Sequence, residues 1–127
     1  MNESTRRALT QSGVVDITTT GRRTGQQRRI EIAYHVIGGR IYISGQPRAD
    51  RKRAWLYNLE ADPRLTFHLK RDVVADLPAT ARVITDEAER RAVLEHVARA
   101  WRRTDVDTMV SHSPLIEVTI AGLDAPN

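Results

Sequence analysis

Strict two-residue alternation is the feature that most limits what this chain can become. From Arg64 to Lys70, Leu65, Phe67 and Leu69 alternate with Arg64, Thr66, His68 and Lys70, which puts the apolar side chains on one face of an extended strand and the polar ones on the other. The same period recurs. Val15, Ile17 and Thr19 alternate with Val14, Asp16 and Thr18 in a β-branched run from Val14 to Thr20, and Ile30, Ile32, Tyr34 and Val36 share one face of the run from Arg29 to Ile37. Gly38-Gly39 is a two-residue hairpin signal, with Arg40 to Ser44 as the returning strand. Half-buried, alternating strands exclude a doubly wound nucleotide-binding sheet, whose buried parallel strands read as continuous apolar runs.

Beyond these strands a less even one passes through Ala79, Ala81 and Val83, with Leu77-Pro78 predicting a bulge or an open edge. Leu115 to Ala121 closes the chain as a last strand. Two helices interrupt the β pattern. The short one carries Trp55, Leu56 and Leu59 at helical spacing, with Asn58 available for a hydrogen bond, and stops before Pro63, which holds Asp62 extended. The longer one starts from Thr85 as N-cap and runs to about Trp101, burying Val93, Leu94, Val97 and Trp101 while Glu87, Arg90, Arg91 and Arg102 face water. Residues 103–113 show no period, and His68 reads as a surface or rim residue. Six strands, one short helix and one longer helix describe an α+β chain built as a small antiparallel barrel with helices outside. Residues 1–12 read as a polar arm and residues 13–127 as one domain, in keeping with 127 residues of which 40% are hydrophobic.

Charge and missing residue types narrow the chemistry. With no cysteine, disulfides, thiol catalysis and thiolate metal sites are excluded, and a cytoplasmic location is expected. No apolar run approaches the ~20 residues that span a bilayer, although attachment at a membrane surface stays open. The net charge of +4 is carried almost wholly by arginine, the side chain suited to bidentate contacts with phosphate and carboxylate. These arginines cluster in two turns. One holds Arg22, Arg23 and Thr24 between Gly21 and Gly25, with Arg28 and Arg29 beyond; the other runs from Ser44 and Gly45 through Arg48, Arg51, Lys52 and Arg53 into the short helix. A strand feeding a basic loop and then a helix N-terminus is a place to hold an anion. If both strands leave the barrel at one end, the two turns face each other across a groove. Nucleic acid fits poorly, because small barrels that bind it interleave aromatics with basic residues, and aromatics here make up only 5%. Ser111-His112-Ser113 with Asp105 and Asp107 has the residue types of a hydrolase but no nucleophile elbow, and His35, His68, His96 and His112 lack metal-ligand spacing.

Two stretches, TTTGRRTGQQRR from Thr18 to Arg29 and AWLYNLEADPRLTFHLK from Ala54 to Lys70, resemble the deazaflavin-dependent nitroreductase family, split β-barrel quinone and nitro reductases that use coenzyme F420. The similarity extends from Val14 to about Ile120. It implies a split-barrel fold, related to FMN-binding barrels, and a hydride carried on a tricyclic ring whose phosphodiester and glutamate tail need a basic groove. On this resemblance Arg22, Arg23, Thr24, Arg28 or Arg29, and the corner from Ser44 and Gly45 through Arg48, Arg51 and Arg53 hold the tail, Ile30 to Ile32 lie near the ring, and Trp55 supports the pocket. It further implies a small acceptor, a quinone, nitro or enone compound, with no catalytic side chain. FMN is the alternative occupant, a non-catalytic module for F420, FMN or an acyl ligand the alternative role, and a homodimer an open possibility. The chain departs from the family pattern at Glu31, where a proline is usual, at Gln46 to Asp50, where glycines are usual, and after Tyr57, where no tyrosine follows.

Overall fold

The computed structural model describes residues 1–123. Its six strands are β1 (Gly13–Thr20), β2 (Gln27–Ile37), β3 (Arg40–Ser44), β4 (Arg64–Lys70), β5 (Val74–Val83) and β6 (Leu115–Ile120), and its four helices are α1 (Glu3–Ala8), α2 (Ala54–Ala61), α3 (Glu87–Trp101) and α4 (Val106–His112). All strand pairs are antiparallel, and the sheet closes as β1-β2-β3-β6-β5-β4. Closure comes from residues 16–19 of β1 pairing with residues 65–68 of β4. Between β2 and β3, Gly38 and Gly39 both adopt positive φ, 59° and 77°, as a two-residue turn matched to strand twist requires. The α+β barrel read from the alternation is therefore the observed fold. Among the described residues no helix is long and apolar enough to cross a membrane.

Two cores hold the barrel. Inside it, Val15, Ile17, Ile43, Phe67 and Ile116 are fully buried, each contributing roughly 1.5–3 kcal/mol. Outside it, Tyr42 of β3 and Leu115 of β6 pack beneath Leu94 and Val97 of α3 and Met109 of α4. Tyr42 and Leu115 are thus buried on the outer face as well, while further along β6 Glu117 and Thr119 keep the polar-out alternation.

Several expectations need correction. The segment 1–12 folds as α1, capped by the Asn2 side chain accepting from the Thr5 amide at 2.8 Å, and it delivers Leu9 into the barrel core. Residues 103–113, without period in the sequence, contain α4. The N-cap of α3 is Asp86, not Thr85; its carboxylate accepts from the Glu89 amide at 2.9 Å. Pro78 marks an edge and not a bulge. β5 pairs with β4 in unbroken register from Val74 to Thr80, and β6 joins β5 only from Ala79 onward. The Pro78 carbonyl accepts from Ala121, so the missing N–H falls where the β5–β6 ladder ends. His68 is buried rather than on the surface, its Nδ1 2.6 Å from Asp76 and its Nε2 2.7 Å from the Thr18 hydroxyl.

The largest correction is Arg90. Its half-buried guanidinium donates to the carbonyls of Ile84 (3.0 Å), Val110 (2.9 Å) and Ser113 (2.6 Å). A cation placed on the last carbonyls of α4 satisfies groups that a helix end leaves open and complements its dipole. Burial lowers the Arg90 pKa, with no carboxylate to offset it. Replacing Arg90 by Met should lower the unfolding free energy by about 2–4 kcal/mol in urea titrations; a loss below about 0.5 kcal/mol would show that water serves those carbonyls equally well.

His35, on the outer face of β2, is 7% exposed and packs edge-on against Trp101, 5.2 Å between ring centroids. Burial lowers its pKa below 6.5. The unfolded chain therefore takes up the proton first as pH falls, so stability present above pH 6.5 drains away below it. His35→Phe should remove this part of the acid-side loss; identical pH dependence in wild type and variant would contradict it.

Candidate functional site

β1 and β3 are both antiparallel to β2, so they run in the same direction and leave the barrel at the same end. This brings the two basic turns together. The first is a tight loop in which Gly21 N donates to the Gln26 carbonyl at 2.7 Å and Gly25 N to the Gly21 carbonyl at 2.9 Å. Gly25 adopts a φ of 73°, a conformation that side chains disfavour. Thr24 Oγ1 accepts from Gln26 N at 3.2 Å, which leaves the Thr24 hydroxyl proton to be donated outward.

The second turn, residues 45–53, leads into α2, which docks against the first through Asn58. The Asn58 side chain is 6% exposed. Its Nδ2 donates to Thr19 Oγ1 at 3.2 Å, and its Oδ1 accepts from the Arg22 amide at 3.1 Å. Between the Arg22 turn and α2 lies a cleft of about 430 Å³, walled by Ile30, Ala54 and Trp55 and rimmed by Arg22, Arg23, Thr24 and Arg28. It continues past Arg22 into a groove of about 400 Å³ lined by Arg48, Arg51, Lys52, Arg53 and Tyr57. Tyr57 sets the spacing at the junction: the Arg22 guanidinium and the Lys52 ammonium each lie 4.5 Å from its ring centroid.

Positive charge dominates this surface. Arg48 is paired with Asp50 at 2.8 Å and Lys52 with Glu60. Among the described residues, Arg22, Arg23, Arg28, Arg51 and Arg53 have no carboxylate partner. Burial, and then the neighbouring Arg48 and Arg51, push the Arg53 pKa down. No side chain caps α2 and no acid stands in its first turn, so its open amides add to the same field. An apolar wall that opens into such a groove suits a flat ring with a multiply charged anionic tail.

The residues singled out in the sequence divide accordingly. Arg22, Arg23, Thr24, Arg28 and Trp55 share the cleft, and Arg48, Arg51 and Arg53 share the groove. Four others lie elsewhere. Arg29 is on the opposite face of β2, bonded to Asp16 at 2.9 Å. Ile32 packs against the barrel core, leaving Ile30 as the wall of the cleft. Ser44 is buried and donates to the Pro114 carbonyl at 2.6 Å. Gly45 lies under Arg53, where an added Cβ would stand 3.3 Å from Nη2. The departure at Glu31 is harmless to the groove, because Glu31 points outward to Lys70, which also holds Asp16 at 2.6 Å. The hydrolase-like cluster dissolves as well, with Asp105 bonded to Arg103 and Asp107 to Arg91. Tyr57 was missed as a site residue, whereas Ile30 is one of the residues that the resemblance places near the ring. For Ile30 the alternation already carried the signal, since it shares a face with Arg28.

Fold and site together define a small-barrel protein with an apolar-walled cleft and a basic groove at one end of the barrel. Residues 2–121 match the family model for F420H(2)-dependent quinone reductase; the chain belongs to that family, which makes it an F420H2-dependent reductase with F420 as its cofactor. The fold recurs in the conserved hypothetical protein Rv2991 from Mycobacterium tuberculosis, with a TM-score of 0.71 at 21% identity over 95% of this chain and 81% of that one. It recurs too in an F420-H2 dependent reductase, FDR-A, with a TM-score of 0.63 at 20% identity over 84% and 93%. A protein described as an F420 reductase gives 0.65 at 13% identity over 91% and 93%. At these identities the likeness is one of fold.

Asn58→Leu should leave the Thr19 hydroxyl and the Arg22 amide without their partner, lowering stability by about 1–3 kcal/mol. Hydrogen exchange should show the Arg22 amide opening faster in the variant. An unchanged exchange rate would mean that the turn holds itself.

Proposed function

We propose that this chain transfers a hydride from reduced F420 to a small organic acceptor, a quinone, nitro or enone compound, with the coenzyme lying along the cleft and groove at the open end of the barrel. The observation that carries the reading is the junction of an apolar-walled cleft with five arginines that no carboxylate among the described residues neutralises. Bound there, the deazaflavin supplies two-electron hydride chemistry. The protein's share is to bind, orient and exclude water.

In this arrangement Trp55 and Ile30 flank the ring and keep one side of it dry. Arg22, Arg23 and Arg28, with the Thr24 hydroxyl, donate to the phosphodiester, and Arg51 and Arg53 meet the carboxylates that follow. Each charge-assisted hydrogen bond of this kind contributes about 1.5–3 kcal/mol when partly shielded. FMN has one phosphate and no further carboxylates, so it leaves the Arg51 side of the groove unmet. The acceptor pocket has few aromatic anchors, in keeping with no tyrosine after Tyr57, and a broad acceptor range follows.

Titration by tryptophan fluorescence should give tighter binding of F420 than of FMN. The Arg22→Ala, Arg23→Ala double variant should bind F420 at least about tenfold more weakly at low salt, and that difference should shrink as salt rises. FMN binding as tightly as F420 would overturn the assignment of the groove. Rapid-mixing oxidation of bound reduced F420 by a panel of quinones and nitro compounds then tests turnover. Tight binding without acceptor-dependent oxidation would favour a coenzyme-binding module over an enzyme.

A further inference from the structure

The segment 45–53 has a second side. Behind it, away from the cleft, lies an open cavity of about 450 Å³, bordered by the β5–α3 connection and by the end of α4. Arg51 and Arg53 border it together with Thr85, His112 and Ser113. We propose that this cavity is a binding site for a small organic molecule bearing an oxyanion, a carboxylate or a phosphate.

Two independent observations point to a ligand. Ser113 is 4% exposed, lines the cavity, and its hydroxyl has no hydrogen-bond partner among the described residues. Buried hydroxyls rarely go unpaired, and one that does marks a missing partner. Arg53 supplies the second observation. A Cβ on Gly45 would stand 3.2 Å from Pro114 Cγ and 3.3 Å from Arg53 Nη2, so the glycine makes room for a guanidinium near Pro114, and Arg53 and Ser113 line the same cavity. That guanidinium is half-buried and without a carboxylate among the described residues.

Of the other charges around the cavity, Arg51 has no carboxylate partner among the described residues, whereas Arg90, Arg48 and Glu60 are already committed. Arg90 is spent on main-chain carbonyls, Arg48 on Asp50, and Glu60, the carboxylate in the lining, on Lys52. What is left is a set of donors. A guanidinium and a hydroxyl reject a cation and match the paired oxygens of a carboxylate or phosphate. Leu56, Val83 and Ile84 supply an apolar wall, and the volume exceeds what a bare ion needs, so the oxyanion carries an organic body. Ser113 and Thr85 lie outside the coenzyme cleft and groove, whereas Arg51 and Arg53 border both hollows.

The test uses the full chain without coenzyme, titrated with succinate in one arm and inorganic phosphate in the other, at ionic strength held constant with sodium chloride. Calorimetry and thermal unfolding should show saturable binding and a rise in Tm in at least one arm; the stronger arm identifies the oxyanion. Ser113→Ala should raise the Tm of the free protein, by removing an unpaired buried hydroxyl, while weakening the anion about tenfold or more. Arg53→Gln should weaken it similarly. Arg23→Ala, which lines only the cleft, should respond as wild type does even though it binds F420 poorly. No saturable response to either anion, an undiminished response in Ser113→Ala and Arg53→Gln, or a response lost in Arg23→Ala would overturn the proposal.

Discussion

One buried amide joins the two halves of the site. Asn58 faces Thr19 with one end of its side chain and the Arg22 main chain with the other, in surroundings where either group left alone would be costly. The bridge sets how α2 sits on the barrel, and with it the position of Trp55, three residues earlier on the same helix. It also fixes where the Arg22 turn leaves β1. The cleft is the gap between those two elements, so its width follows from hydrogen bonds that no ligand supplies. Tyr57 extends the arrangement outward, with Arg22 and Lys52 both against its ring.

The distribution of charge is selective. On the outer faces of the barrel acids and bases meet: Arg29 and Lys70 with Asp16, Lys70 with Glu31, Arg40 and Arg82 with Glu117, Arg82 with Glu89. Such exposed pairs contribute little to stability, about 0–1 kcal/mol each, but they consume the acids. At the open end, arginines crowd around a helix N-terminus with few carboxylates in reach. Mutual repulsion there opposes folding slightly and favours an anion strongly, so the arrangement makes sense as a site and poorly as a stabilising device. The same logic reaches the rear cavity, where Arg53 stands between two hollows.

Much of the barrel could be read from the chain because a period of two leaves little freedom: Val15, Ile17, Leu65, Phe67 and Leu69 all point inward as their alternation requires. The same rule distinguishes Arg28 from Arg29, one step on a strand being a change of face. What the sequence concealed depends on contacts distant along the chain. α4 buries only Met109 and Val110 and is held by Arg90 from another helix. α1 is short and mostly exposed, and the Asn2 cap preceding Ala8-Leu9 was its one local signal. His68 looked exposed because its polar partners, Thr18 and Asp76, sit on neighbouring strands. The anion corner was visible as composition and position; its division into a cleft, a groove and a rear cavity required the fold.

The central claim is that the two basic turns act as one surface for the coenzyme's charged tail. A crystal structure of the chain with F420 tests it most directly. The account predicts the ring against Trp55 and Ile30, with tail oxygens within hydrogen-bond distance of Arg22 or Arg23 on one turn and Arg51 or Arg53 on the other. Coenzyme bound instead at the opposite end of the barrel, in the hollow of about 320 Å³ between α1 and the β4–β5 turn, or a tail that leaves both turns in solvent, would contradict it.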